Sequence, residues 1–89
     1  MPKRELLQRY NELCDEKRMT IDGVYSNSNK DAIANAIACL ECDDTTLDKY
    51  FVVVSLKYPN TAATIAKSDY HRHYLNRLYV YNTARMLLQ

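Results

Sequence analysis

Residues 43–59 read DDTTLDKYFVVVSLKYP, and this run decides between two fold classes. Leu47, Tyr50, Phe51, Val54 and Tyr58 recur at three- and four-residue steps, the spacing of one face of a helix. Asp44 or Thr45 is suited to cap such a helix, Thr45 and Asp48 have capping-box spacing, and Pro59 is expected to stop it. Against this, Tyr50–Val54 is aromatic and β-branched, which a buried strand favours as well. The acidic first turn and the shortage of partner strands favour the helix. The expected class is therefore all-α, a single small bundle of four to five helices formed by residues 1–89. The alternative is an α+β domain with a small sheet from residues 19–26 and 49–58.

Upstream of this run, Ser28 and Asp31 stand three apart, like a capping pair with Asp in place of Glu or Gln. Ala32, Ile33, Ala36, Ile37 and Leu40 then make a narrow stripe of small and branched residues, suited to close helix–helix approach and expected to end near Cys42. Residues 19–28, MTIDGVYSNS, form the main break: Asp22-Gly23 is a turn signal, and Ile21, Val24 and Tyr25 are expected to pin the connection to the core. Before it, Leu6, Leu7, Tyr10, Leu13 and Cys14 predict a helix over residues 3–18, which Pro2 opens at no cost because its missing N–H has no helical partner to lose.

Composition narrows the function. An 89-residue chain has room for one domain and a modest core. One glycine and two prolines argue against a turn-rich sandwich or barrel. No stretch approaches the ~18–20 apolar residues of a membrane span, and the charged start MPKRELLQRYNELCDEK lacks the apolar region of a secretory leader. Net charge is +1, but unevenly spread. Residues 1–44 hold six Lys/Arg against nine Asp/Glu, a balance of −3, and residues 45–89 hold six against two, a balance of +4. Such a gradient suits attraction of a polyanion to the second half, or packing and self-association of the two halves.

Three cysteines, an odd number, exclude a complete internal disulfide framework and fit free thiols in a reducing cytosol. Cys39 and Cys42 have C-x-x-C spacing, but they fall at a helix C-terminus beside Glu41, Asp43 and Asp44, where dipole and carboxylates both raise thiol pKa. A zinc site would have to add Cys14, His71 or His73, and the two histidines point about 200° apart on a helix. Structural thiols and no cofactor are the expected reading. Neither a G-x-S-x-G elbow, a phosphate-cradling glycine loop nor H-E-x-x-H occurs, and the chain is not expected to be an enzyme.

The stretch 60–89, NTAATIAKSDYHRHYLNRLYVYNTARMLLQ, carries the functional signal. Ile65, Tyr70, Tyr74, Leu78, Tyr81 and Leu88 fall on one side of a helix, with Lys67, Arg72, Asn76 and Arg77 elsewhere; one long helix, or two broken near Ser68-Asp69, is expected. A helix start at Thr61, the small Ala66, a polar break and then Arg72, Asn76 and Arg77 resemble a helix-turn-helix over residues 61–82. That resemblance implies a second helix presented to a DNA major groove, although the turn lacks the usual glycine. Tyrosine gives a different reading. Eight Tyr with no Trp suit surfaces half apolar and half wet, and Val80, Met86 and Leu87 extend apolar character around the last helix.

The expected function is a small cytosolic regulatory or adaptor protein that binds a protein partner or itself through its C-terminal helix. Arg72, Asn76, Arg77 and Arg85 would supply charge and hydrogen bonds, and Tyr74, Tyr79 and Tyr81 contact area. A DNA-binding regulator is the alternative. Size and compactness suit an accessory protein of a phage or mobile element.

Overall fold

The computed structural model describes residues 1–20 and 23–89. Among the described residues five helices follow one another: α1 (Lys3–Lys17), α2 (Lys30–Glu41), α3 (Asp44–Lys57), α4 (Pro59–Ala66) and α5 (Tyr74–Leu87). Among the described residues there is no strand, so the all-helical bundle is the fold. Residues 49–57 are helical despite their strand-like composition. Leu47 and Val54 are fully buried while Tyr50, Phe51 and Val53 are half-buried, a graded apolar face that one helix supplies without any pairing edge.

Several boundaries differ from the sequence expectation, each for a local reason. Asn29, not Ser28, caps α2, its Oδ1 accepting the Ala32 N–H at 2.8 Å, while the Ser28 hydroxyl accepts the Tyr25 N–H at 3.2 Å. Asp43, not Asp44 or Thr45, caps α3 by accepting the Thr46 N–H at 2.7 Å, and that bond holds its carboxyl below the usual range. Pro59 ends α3 but also opens α4, at the position where its fixed φ suits a first helical turn. The C-terminal third is two helices, separated by the turn 67–73.

The core has two parts. Tyr10, Leu13, Val24, Ile33, Ala36, Ile37, Leu40 and Tyr74 form one, between α1, α2 and the start of α5. The other, between α3, α4 and α5, gathers Leu47, Val54, Ile65, Val80, Tyr81 and Ala84 together with Cys39 of α2. Leu78 packs against both, so α5 is the shared wall. Val24 holds the α1–α2 connection to the core as expected, but Tyr25 is exposed; Ile21 and the Asp22 half of the turn signal lie outside the described residues.

Gly23 does not use the positive φ that glycine adopts most freely, and its missing side chain serves packing instead. A Cβ there would sit 2.5 Å from Tyr74 Cε2 and 2.9 Å from Cδ2. The Tyr74 ring is buried and meets Tyr10 edge-to-face, with centroids 5.9 Å apart and planes at 87°, so it has no free space to move into. Gly23→Ala is expected to destabilise the fold by about 1–3 kcal/mol through overpacking. A urea midpoint equal to that of the parent chain would show that the ring yields freely.

Candidate functional site

The side chains expected to contact a partner cluster on α5 and the turn before it. His73 opens the helix, its Nδ1 accepting the Asn76 N–H at 3.3 Å. From there α5 has an inner side shared by the two cores and an outer side.

Arg77 lies on the inner side. It was expected on a solvated basic face, and it is instead 0% exposed. Its five N–H groups meet five acceptors. Nε donates to the Cys39 carbonyl at 3.2 Å; Nη1 donates to Asp44 Oδ1 and to the His71 carbonyl, both at 3.0 Å; Nη2 donates to the carbonyls of Leu40, at 3.5 Å, and Cys42. Three of these carbonyls end α2, whose last turn holds no basic residue and whose C-cap is Cys42 rather than glycine. The guanidinium therefore replaces the N–H donors that a helix end lacks, and puts a cation at the negative end of the helix dipole. It also joins α2, α3, the 67–73 turn and α5 at one point.

Tyr74 and Tyr81 are buried as well, one in each part of the core. Three of the seven expected contact residues, Tyr74, Arg77 and Tyr81, are thus structural. Asn76 is half-buried and donates to Ser68 Oγ at 2.7 Å, closing the turn onto the helix. Arg85 is exposed but folds back, donating to the Tyr81 hydroxyl at 2.8 Å with its guanidinium carbon 5.1 Å from the ring centroid. Arg72 is exposed, 3.7 Å from Asp69, and Tyr79 is exposed. Leu88, expected on the apolar side, is exposed beyond the end of α5.

The outer face adds Leu75 to the contact residues expected from the sequence. Leu75, Tyr79 and Met86 are 51%, 37% and 57% exposed. At about 100° per residue they fall within about 40° of one another, so they form one apolar stripe. Asn82, in the same stripe, accepts a hydrogen bond from Asn35 of α2 at 3.1 Å. The spacing 75, 79, 82, 86 was available in the sequence. It gives Tyr79 and Met86 but leaves Leu75 in doubt, because Tyr74, Leu78 and Tyr81 form a second, stronger stripe on the same helix.

No protein-family model, no curated protein and no solved structure matches this chain. The site's chemistry therefore rests on its own geometry.

Neither thiol of the C-x-x-C pair has the lowered pKa of an activated nucleophile. Burial pushes the Cys39 thiol up to about 12 despite the pull of Arg77, and burial likewise raises that of Cys42. Among the described residues no three His, Cys, Asp or Glu side chains converge as metal ligands do.

Asp48 ties the 67–73 turn to α3. It accepts from the Tyr70 hydroxyl at 2.6 Å and lies 2.6 Å from His71 Nε2, while Phe51 stacks on Tyr70 with centroids 4.8 Å apart. The Tyr70 and His71 hydrogen bonds lower the Asp48 carboxyl, and burial, then the Asp48 bond, raise the Tyr70 phenol. A depressed acid stabilises above its unfolded value near 4 and loses that contribution as pH falls through the folded value. A raised phenol stabilises fully below its unfolded value near 10 and loses that contribution as pH rises beyond it. Stability is therefore expected to fall on both flanks, and Asp48→Asn to flatten the acid one, measured as urea midpoints from pH 3 to 7. An unchanged acid limb would place its origin in other carboxylates.

Proposed function

We propose that this chain is a small cytosolic regulatory or adaptor protein, without catalysis of its own, which binds a protein through the outer face of α5. The first partner to test is a second copy of the chain. The supporting observation is the exposed stripe Leu75–Tyr79–Met86: large apolar side chains left in water on one helix face gain about 25 cal/mol per Å² when covered, and tyrosine is enriched at such contacts. Of the residues first expected there, Tyr79 keeps this role, and Arg72 and Arg85 remain at the surface around the helix. Among the described residues no helix is long and apolar enough to cross a membrane.

The DNA-binding alternative has weaker support. With every N–H engaged, Arg77 has no donor for a base edge, and Asn76 is turned toward Ser68. The connection between α4 and α5, residues 67–73, also exceeds the three- to four-residue turn of a helix-turn-helix. Light scattering across a concentration series tests the favoured reading. A dimer is expected, with Tyr79→Ala raising its dissociation constant about tenfold or more. A chain that stays monomeric at high concentration would reject self-association through this face.

A further inference from the structure

Where the end of α1 meets the 67–73 turn and the start of α3 there is a cleft of about 230 Å³. Lys17, Arg18, Arg72 and Arg77 line it, against the carboxylates of Glu16 and Asp44, with His71 at its side. The carboxylates have cationic neighbours: Asp44 accepts from Arg77, and Glu16 lies 4.0 Å from Arg9. Among the described residues Lys17 and Arg18 form no ion pair, and the Asp69 contact of Arg72 is long, at 3.7 Å. Lys17 and Arg18 thus line the cavity without an ion pair, and Arg72 has only a long one.

The chain holds them there. Thr20 donates twice to the Arg72 carbonyl, from its N–H at 2.9 Å and its hydroxyl at 3.1 Å, which fastens the segment after α1 to the 67–73 turn. Arg18 sits at φ 54°, ψ 50°, the left-handed position that ends helices and that glycine or asparagine fills with least strain. An arginine here lines the cleft where glycine would make the easier cap.

We infer that this cleft binds a phosphate monoester, gripped by the Lys17 ammonium and the Arg18 and Arg72 guanidiniums. Four positive charges stand against the carboxylates of Glu16 and Asp44 in the lining and of Asp69 beside Arg72, an excess of one, and a monoester brings roughly −1.5 to −2 at pH 7. Guanidinium forks suit tetrahedral oxyanions bidentately. The volume is several times the ~30 Å³ share of one water, enough for a phosphoryl group with part of what carries it.

The test is an NMR titration of the whole chain with O-phosphoserine, with inorganic phosphate, and with chloride at matched ionic strength. Saturable shifts at Lys17, Arg18 and Arg72 are expected from the two phosphates and not from chloride. Tighter binding of O-phosphoserine would assign a phosphoryl group carried on a larger molecule; equal binding would assign the free ion. Arg18→Gly is expected to weaken binding about tenfold or more, while the thermal midpoint holds or rises because glycine is at home in that backbone conformation. Lys30→Ala, an exposed cation outside the cleft, should change nothing. Shifts that chloride reproduces, or that survive Arg18→Gly, would overturn the assignment. So would tighter, steeply salt-dependent binding of a short DNA duplex at the same residues, which would give the cleft to a phosphodiester backbone.

Discussion

Replacing Arg77 with methionine is expected to cost about 3–5 kcal/mol, much of the ~5–15 kcal/mol that keeps a small domain folded. Methionine fills similar space but has no donor, leaving the buried carbonyls of Cys39, Leu40 and Cys42 without the partner they now share. The ion pair with Asp44 is the smaller part of this loss, because Asp44 is 61% exposed on its side chain and a water-facing pair contributes ~0–1 kcal/mol. Two controls separate the effects. Asp44→Asn should cost less than about 1 kcal/mol. Arg77→Lys should fall between, since an ammonium offers three N–H where five acceptors wait. Urea unfolding of the three variants gives the ranking. If Asp44→Asn proved as damaging as Arg77→Met, the ion pair, not the helix end, would be what Arg77 is there for.

Tyr10→Ala is expected to be comparably severe, about 3–5 kcal/mol, which for a chain of this size lowers the melting temperature by more than about 12 °C. The ring is fully buried against Tyr74, and its hydroxyl accepts the Gly23 N–H at 3.3 Å. One side chain thus joins α1, the segment after it and the first residue of α5. Removing the ring leaves a cavity that a close-packed interior fills only in part. Tyr10→Phe keeps the packing and gives up the hydroxyl's hydrogen bonds, so a loss nearer 1 kcal/mol is expected. Thermal melts distinguish the two. Equal losses for Phe and Ala would mean that the hydroxyl, not the packing of the ring, dominates.

These two residues also show how far the sequence could be read. Tyr10 was legible: it lies in a stripe with Leu6, Leu7, Leu13 and Cys14, and such a stripe marks a buried face wherever the helix is placed. Arg77 was not, because its spacing on α5 is equally that of a solvated cation. The sign of its burial lay on another helix. The end of α2 has neither a glycine cap nor a basic last turn, so its carbonyls needed a donor from elsewhere, and no rule of spacing says which residue will reach them. The contact stripe showed only in part, for a related reason. Tyr74, Leu78 and Tyr81 look like Leu75, Tyr79 and Met86 in apolar character, and what divides them is which side of α5 the other helices cover.

What the residues determined alone was local: an all-α bundle of four to five helices, and the apolar face of each of the first three, since these follow from hydrogen bonding and periodicity within a dozen positions. The tertiary structure alone decided which side of α5 is covered, which cation is buried at a helix end, and which three meet at a cleft. Those outcomes depend on groups 30 or more positions apart, such as Arg77 and Cys39, whose separation in space is set only when the helices pack.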